Sequence, residues 1–203
     1  MKIALIGASG NVGNRIVDEA LRRGHNLIAI ARDASKIAQR TGVTAVSADV
    51  KDAAALATAI KGADVVISSG RFTAYGVADL LPAVKAAGVK RLAVVGGAGS
   101  LEIAPGKALI DTPEFPAEYM PEASGGRDFL HALRTETDLE WTYLSPSALF
   151  IAGERTGQFR LGKDELLVAA DGKSWISYED FAVALLDELE QPKHVRARFT
   201  VGY

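Results

Sequence analysis

The sequence predicts an α/β fold in which helices cover both faces of a doubly wound parallel sheet. Through the first 95 residues, short apolar runs alternate with segments of helical periodicity, the pattern of parallel strands joined by helical crossovers. The strand candidates are apolar along their whole length, as strands buried on both faces must be. Right-handed crossovers then give the doubly wound arrangement.

The individual elements of this half follow one another without interruption. The predicted strands are Lys2–Ile6, Asn26–Ala31, Thr44–Ala48, Asp64–Ser68 and Arg91–Val95. The predicted helices between them are Asn11–Arg23, Asp33–Arg40, Asp52–Lys61 and Val77–Ala87. A glycine follows the end of each helix, where a left-handed backbone is usually required: Gly24, Gly42, Gly62 and Gly88.

The second half has a different character. Residues 96–121 contain four prolines and four glycines, and a connection this long inside a compact domain is usually functional. The elements predicted after it are a helix at Glu122–Thr137, a strand at Trp141–Leu144, a hairpin of Gln158–Leu161 with Leu166–Ala169, a helix from Ser177 to Glu190, and a strand at Arg196–Val201. No repeat or linker divides the chain, so we expect one domain over residues 1–203 with a small C-terminal elaboration on the substrate side.

Composition excludes several classes of function. The chain has no cysteine, which excludes a disulfide framework, a thiolate metal site and a cysteine nucleophile, and its three scattered histidines form no metal site. A net charge of −2 argues against nucleic-acid binding. No apolar run reaches the ~18 residues of a membrane helix, and the first one is too short for a signal peptide. We expect a cytoplasmic protein without nucleic-acid or membrane partners; its oligomeric state stays open, a dimer included.

The most informative motif is G-x-x-G-x-x-G, formed by Gly7, Gly10 and Gly13 between the first strand and the first helix. Gly7 permits a tight turn, Gly10 leaves room for a pyrophosphate, and Gly13 lets the helix approach the sheet. The backbone N–H groups at the helix start would face the phosphates, which adds Ser9, Asn11 and Val12 to the binding residues. An ordinary glycine-rich turn is the alternative, but the strand–turn–helix context favours a Rossmann-type dinucleotide site.

Arg32 follows the second strand, at a position where NAD-preferring sites commonly have an acidic residue. An arginine there can bind the 2′-phosphate of NADPH, so the sequence predicts NADP(H) in preference to NAD(H). A solvated surface arginine is the alternative. Asp33, which comes next, is better suited to capping the following helix than to binding a ribose.

The ends of the other strands supply the remaining candidates for the coenzyme site. Asp49 and Val50 follow the third strand, beside the expected adenine, although Asp49 is also a candidate helix cap. Ser69 and Gly70 follow the fourth strand and Gly97 the fifth, on the nicotinamide side of the same edge.

Together these residues resemble an atypical short-chain dehydrogenase/reductase, and the resemblance covers essentially the whole chain. The motifs that carry it are Gly7–Gly13, Arg23–His25, Arg32-Asp33, Asp49-Val50, Trp141–Pro146, Gly153–Gly157, Ile176–Ala182 and Gly202-Tyr203. The most similar group is the NAD(P)H-binding proteins assigned as NADH-flavin reductases, which are similar to biliverdin-IXβ/flavin reductase and to NmrA-like proteins. This resemblance implies an NAD(P)H-dependent oxidoreductase.

The catalytic Tyr-x-x-x-Lys pair of that superfamily is missing here. Tyr119 is followed four residues later by Ala123, and no other tyrosine has a lysine at that spacing. Gly96-Gly97 also stands where the family usually has a serine. Ser100 and Tyr119 remain the candidates for catalytic residues, as hydrogen-bond donors to a substrate carbonyl. Structural hydrogen bonds in a loop are the alternative role for both.

Three hypotheses follow from the sequence. The first is an NADPH-dependent reductase of flavins, quinones or similar conjugated acceptors, because hydride transfer to such rings needs little acid–base help from the protein. The second is a non-catalytic NADP(H)-binding regulator of NmrA-like type. The third is a nucleotide-sugar epimerase or dehydratase, which the missing Tyr-x-x-x-Lys pair and the short C-terminal region disfavour.

Overall fold

The computed structural model describes residues 1–203 and contains twelve strands. They are β1 (Lys2–Ile6), β2 (Asn26–Ala31), β3 (Val43–Ser47), β4 (Val65–Ser68), β5 (Arg91–Val95), β6 (Glu102–Ala104), β7 (Lys107–Ala108), β8 (Glu140–Pro146), β9 (Leu149–Ile151), β10 (Arg160–Gly162), β11 (Trp175–Ser177) and β12 (Ala197–Gly202). The five strands predicted in the first half are all present, with ends that differ by one residue at most.

Five α-helices connect these strands: α1 (Asn11–Arg22), α2 (Ala53–Ile60), α3 (Val77–Ala86), α4 (Met120–Arg134) and α5 (Tyr178–Glu190). Side-chain caps fix the start of two of them, because a cap satisfies a backbone N–H that the helix leaves free. Asp52 accepts from the Ala55 amide at 3.0 Å, and Ser177 accepts from the Asp180 amide at 2.9 Å. Helix α4 begins two residues earlier than predicted because Pro121 is tolerated in a first turn.

Eight strands form one sheet in the order β3-β2-β1-β4-β5-β8-β12-β10, and every neighbouring pair is parallel except β10 with β12. The strand order changes direction between β1 and β4. Ile6 at the end of β1 is therefore in register with Ile30 of β2 on one side and with Ser68 of β4 on the other. Such a switch point leaves a crevice at the carboxyl edge, where ligands bind in open α/β sheets.

Alternate side chains of the central strands enter two separate cores. Ile3 and Leu5 pack with α1 and α5 on one face, and Ala4 and Ile6 pack with α2, α3 and α4 on the other. Each fully buried leucine or isoleucine stabilises the fold by ~1.5–3 kcal/mol. The sheet is thus covered on both faces, which confirms the Rossmann-type doubly wound fold.

Two predicted elements are wrong. The segment Asp33–Arg40 forms only one 3-10 turn, at Ala34–Lys36, because Ile37 returns to an extended backbone and enters the core beside α1. The predicted hairpin does not form either. Strand β10 pairs with β12, and the chain after it pairs with Glu102 instead, whose carbonyl accepts from the Leu166 amide at 2.8 Å.

The segments between β5 and α5 also form two small sheets that the sequence did not predict. One is the antiparallel pair β6 and β7, and the other is the parallel pair β9 and β11. Both are built from strands of two or three residues, too short for a recognisable pattern. No helix of the molecule has both the length and the apolar character needed to cross a bilayer.

Candidate functional site

A cleft of about 480 Å³ lies at the carboxyl ends of β1 to β4. Its walls contain eight of the residues that the sequence predicted for coenzyme binding: Gly7, Ser9, Gly10, Arg32, Asp49, Val50, Ser69 and Gly70. The remaining lining residues are Ile6, Ile30, Ala31, Ala48, Lys51, Arg71, Thr73, Ala74 and Tyr75. The switch point of the sheet therefore opens into a single cleft bordered by the glycine motif and by Arg32.

The first and last glycines of the motif are required by close backbone approach. Gly7 has a φ of 82°, and a Cβ there would lie 2.4 Å from the Ser69 carbonyl oxygen. A Cβ on Gly13 would lie 2.1 Å from the Gly7 carbonyl oxygen. Any larger residue would push the start of α1 away from the sheet. Two of the three roles assigned to the motif, the tight turn and the close helix packing, are present.

The start of α1 has unsatisfied backbone donors. Gly10 is the N-cap and supplies no side-chain acceptor, and the first turn contains no acidic residue. The amides of Asn11, Val12 and Gly13 donate to no group of the protein. Three free N–H groups and the positive end of the helix dipole thus remain available for an anion such as a diphosphate.

Arg32 is exposed at the cleft and makes no hydrogen bond or ion pair within the protein. The carboxylate of the neighbouring Asp33, in contrast, has hydrogen-bond partners in the protein. The Asp33 carboxylate accepts from the Ser35 hydroxyl at 2.6 Å and from the Ser35 amide at 3.0 Å. These bonds hold the pKa of Asp33 below its usual range. The acid is engaged as a cap of the turn, as predicted, and the arginine is left free for a ligand.

Asp49 does not cap α2, because Asp52 has that role. Its carboxylate accepts from the Lys51 amide at 2.9 Å, which shapes the turn after β3. Val50 is buried with the core beneath the cleft and presents an apolar surface to it. The turn thus offers an apolar surface with one carboxylate beside it, a suitable environment for an adenine ring.

Tyr75 fixes the backbone after β4. Its hydroxyl lies 2.8 Å from the Ser68 hydroxyl and accepts from the Gly70 amide at 3.1 Å. A Cβ on Gly70 would lie 2.4 Å from this hydroxyl, so a larger residue there would displace the Tyr75 ring. Burial raises the pKa of Tyr75, which keeps the phenol protonated. Tyr75 lines the cleft, but its hydroxyl is engaged in shaping the wall.

Six predicted residues lie outside the lining of this cleft: Asn11, Val12 and Gly13 in the first turn of α1, and Gly97, Ser100 and Tyr119. The Gly97 amide donates to the hydroxyl of the fully buried Tyr143 at 3.2 Å. The Ser100 hydroxyl lies in a separate groove, 3.4 Å from an Arg198 guanidinium nitrogen. Tyr119 is 58% exposed at the start of α4, and its hydroxyl has no partner. The catalytic roles of Ser100 and Tyr119 therefore stay predictions.

Two basic residues of the cleft were missed. Lys51 and Arg71 both line it, and neither side chain has an ion-pair partner. Each follows the end of a parallel strand, β3 and β4, at the ligand-binding edge. The same positional signal that identified Arg32 could have found them. With Arg32, they give the cleft three unpaired cations against the single carboxylate of Asp49.

The C-terminal motifs of the chain form a different structure, which we call the C-terminal lock: residues 153–157 with Ser177, Asp180 and Tyr203. The buried Asp180 carboxylate accepts from the Thr156 hydroxyl, from the Gly157 amide at 2.8 Å and from the Tyr203 hydroxyl at 2.7 Å. The Ser177 hydroxyl donates to the Glu154 carbonyl at 2.9 Å. All these polar groups satisfy one another, so the lock holds the chain end in place.

Ion pairs attach the lock and α5 to α1. Arg155 donates twice to the buried Glu19 of α1, at 2.7 and 2.9 Å. Arg15 pairs with Glu179 at 2.9 Å and Arg23 with Asp187 at 2.8 Å, so α1 and α5 run parallel. Their N-termini consequently lie at the same edge of the sheet. The lock therefore supports the helix whose first turn borders the cleft.

A family model described as NAD(P)H-binding matches residues 7–192. The chain belongs to this NAD(P)H-binding family. The free amides of α1, the three glycines and the unpaired Arg32 fit the dinucleotide that defines the family. The sequence predicted these residues for coenzyme binding, and that assignment stays a prediction.

Three relatives resemble the chain over its full length. An uncharacterized Bacillus subtilis protein, YwnB, is 45% identical, and the match covers 99% of this chain and 98% of that protein. A Bacteroides thetaiotaomicron structure, provisionally named an epimerase, is 43% identical, with a TM-score of 0.94 and coverage of 100% and 96%. A Streptococcus pneumoniae structure, provisionally named an NADH-flavin reductase, is 34% identical, with a TM-score of 0.85 and coverage of 100% and 99%.

Proposed function

We propose that this protein is an NADPH-dependent reductase whose acceptor is a flavin, a quinone or a similar conjugated ring. The observation that carries the proposal is the cleft at the sheet switch point, which is lined by Gly7, Ser9 and Gly10 at the entry to α1 and by the unpaired Arg32. The unpaired amides of the first turn of α1 follow Gly10 directly. The amides suit a diphosphate and the guanidinium suits a further phosphate. The relative provisionally named an NADH-flavin reductase supports the same class of reaction.

Bound NADPH supplies a hydride, which carries two electrons to the acceptor, and solvent supplies the proton that completes its reduction. The residues of the chain then have three tasks. The first turn of α1 would bind the diphosphate, Val50 would pack beside the adenine, and the backbone of Ser69 and Gly70 would face the nicotinamide side. Alignment of two flat rings is the main catalytic contribution, because a well-oriented pair needs little further help.

The preference for NADPH depends on Arg32. Its side chain has no partner in the protein, whereas the carboxylate of Asp33, which could otherwise bind ribose hydroxyls, caps the next turn. Lys51 and Arg71 add positive charge to the same cleft. The 2′-phosphate of NADPH would be attracted to these cations, whereas the uncharged ribose hydroxyls of NADH would gain little affinity from them.

A spectrophotometric assay tests the proposal directly. Purified protein is mixed with NADPH and, in turn, with FMN, riboflavin and a soluble quinone, and NADPH consumption is followed at 340 nm. We expect at least one acceptor to be reduced well above the rate in buffer, with lower efficiency when NADH replaces NADPH. Measured binding of NADPH without any turnover would reject the reductase.

A non-catalytic NADP(H)-binding regulator is the second candidate. The placement of Ser100 and Tyr119 outside the cleft favours it, because no assigned acid or hydrogen-bond donor stands ready for a substrate. This candidate predicts coenzyme binding without turnover and a partner protein whose affinity changes with bound coenzyme. An epimerase is disfavoured, since no tyrosine in the chain has a lysine four residues later.

A further inference from the structure

The segment Arg71–Tyr75, which we call the β4 loop, forms one wall of the cleft. Four of its five residues line the cleft, and the exception is Phe72. The loop contains no helix or strand. Its one internal backbone hydrogen bond runs from the Ala74 amide to the Arg71 carbonyl, at 3.0 Å. Its shape must therefore depend on contacts with another part of the molecule.

The carboxylate of Glu122 supplies the polar part of those contacts. It accepts from the Phe72 amide at 2.8 Å, from the Thr73 amide at 3.1 Å and from the Thr73 hydroxyl at 2.9 Å. Glu122 lies in the first turn of α4, where the helix dipole favours a negative charge. One side chain thus satisfies two backbone donors that have no other partner in the loop.

Phe72 supplies the apolar part. Its ring centroid lies 5.4 Å from that of Phe129 and 6.1 Å from that of Tyr143. The glycines of α4 permit this approach, because a Cβ on Gly125 would lie 3.0 Å from the Phe72 Cβ. The loop is therefore attached to α4 on one side, while its other residues face the cleft.

We propose that Glu122 is a positioning residue for coenzyme binding, which sets the shape of the cleft by holding the β4 loop against α4. The inference rests on the proposed function, namely that this cleft binds NADPH. Glu122 itself does not line the cleft. It fixes Arg71, Thr73 and Tyr75 in the places from which they line the cleft, so that binding does not have to order them.

The test compares four variants with the wild type. Glu122→Gln keeps the size of the side chain but replaces one acceptor oxygen by a donor, and Thr73→Val removes only the hydroxyl donor. Glu118→Gln is the matched control, because Glu118 is exposed, lies four residues away and has no hydrogen bond. Val84→Ala is a stability control, since Val84 is fully buried in α3, away from the cleft. Each variant is titrated with NADPH, and its melting temperature is measured without coenzyme.

We expect Glu122→Gln to weaken NADPH binding roughly ten-fold and Thr73→Val roughly three-fold, since lost hydrogen bonds of this kind cost about 0.5–1.5 kcal/mol each. Glu118→Gln should bind as the wild type does. Val84→Ala should melt at a lower temperature without loss of affinity, which separates positioning from simple destabilisation. Should Glu122→Gln not fold, Thr73→Val provides the same comparison.

Two results would overturn the inference alone, and a third would overturn it together with the proposed function. If the wild type binds NADPH and both Glu122→Gln and Thr73→Val bind it equally well, Glu122 has only a structural role and the proposed function is unaffected. If weaker binding follows melting temperature in every variant, Val84→Ala included, positioning by Glu122 is also rejected. Absence of binding by the wild type would instead reject the proposed function together with the inference.

Discussion

The cleft and the C-terminal lock contain similar polar residues but use them in opposite ways. In the cleft, the side chains of Arg32, Lys51 and Arg71 have no partners in the protein, and neither do the amides of the first turn of α1 beside it. In the lock, Asp180 accepts from three donors, and nearby Glu19 accepts from both Arg155 and Arg23. One region leaves its donors free and the other satisfies them.

This difference separates binding from stability. A free donor at a concave edge stabilises a ligand, whereas a buried paired group stabilises the fold and is costly to disrupt. Substitutions in the cleft should therefore change coenzyme affinity with little effect on unfolding. Substitutions around the lock should do the reverse.

Gly10→Asp should show the separation of stability from coenzyme affinity most strongly. An aspartate at the N-cap would accept from the first turn of α1 and stabilise the free protein by ~0.5 kcal/mol. The same carboxylate would stand where a diphosphate binds, and like charges at contact cost several kcal/mol, so NADPH affinity should fall by roughly 100-fold or more. Calorimetric titration and thermal unfolding measure the two effects.

Gly10→Asn is the matched control for that experiment. It has the size and capping ability of aspartate without the charge. We expect it to lose clearly less affinity than Gly10→Asp. Equal NADPH binding by the wild type and Gly10→Asp would show that no phosphate lies at this helix start.

Arg32→Ala should have the next largest effect. Loss of a charge-assisted contact with phosphate costs ~1.5–3 kcal/mol, or roughly ten- to a hundred-fold in NADPH affinity. NADH affinity should change little, and the melting temperature should stay constant because Arg32 is exposed and unpaired. Titration of both coenzymes measures the difference. An equal loss for NADPH and NADH would contradict the assigned phosphate contact.

Glu19→Gln should act on stability alone. Hydrogen bonds from Arg155, then from Arg23, lower the pKa of Glu19 to about 2 despite its burial. A carboxyl whose pKa is depressed in the folded state stabilises the fold above its unfolded pKa and loses that contribution as pH falls. The substitution should lower the free energy of unfolding by about 2 kcal/mol at pH 7, discounted because Arg155 is partly exposed.

The pH dependence provides the check on that explanation. Between pH 4.5 and pH 2 the difference between wild type and Glu19→Gln should shrink, because the wild-type carboxylate becomes protonated. Urea unfolding at pH 7 and pH 3 measures it. A difference that is constant over this range would mean that the ion pairs of Glu19 are not its source.

Lys51→Ala should give the smallest effect. Its ammonium is exposed and has no fixed partner, so its attraction for a coenzyme is long-range and screened by salt. We expect NADPH affinity to fall roughly two- to five-fold at low ionic strength and hardly at all in 0.5 M salt. A large loss that persists in high salt would instead indicate a direct contact.

The sequence predicted the nucleotide-binding half well because its signals are local. Each apolar strand, the glycine motif and the position of Arg32 after a strand can be recognised from a few consecutive residues. The pairing of Arg160 in β10 with Gly202 in β12 depends on residues far apart in sequence, and short alternation cannot reveal it. For the same reason, the sequence marked Glu122 only as the start of a helix.

The short helix predicted at Asp33–Arg40 does not form, for a related reason. Asp33 does cap a turn, but burial of Ile37 against α1 extends the backbone after one turn. Tertiary packing thus determined the backbone conformation of a segment whose helix propensity was weak. Most residues predicted after strand ends do line the cleft, because the fold class itself fixes those positions. Their contacts with a coenzyme stay predictions.

The central claim is that the first turn of α1 holds the diphosphate of NADPH. Amide NMR spectra of the isotopically labelled protein during titration with NADPH test it most directly. We expect the resonances of Asn11, Val12 and Gly13 to shift strongly and saturably, while that of Gly157 in the C-terminal lock stays in place. Unchanged resonances for the first turn of α1 at millimolar NADPH would contradict the claim.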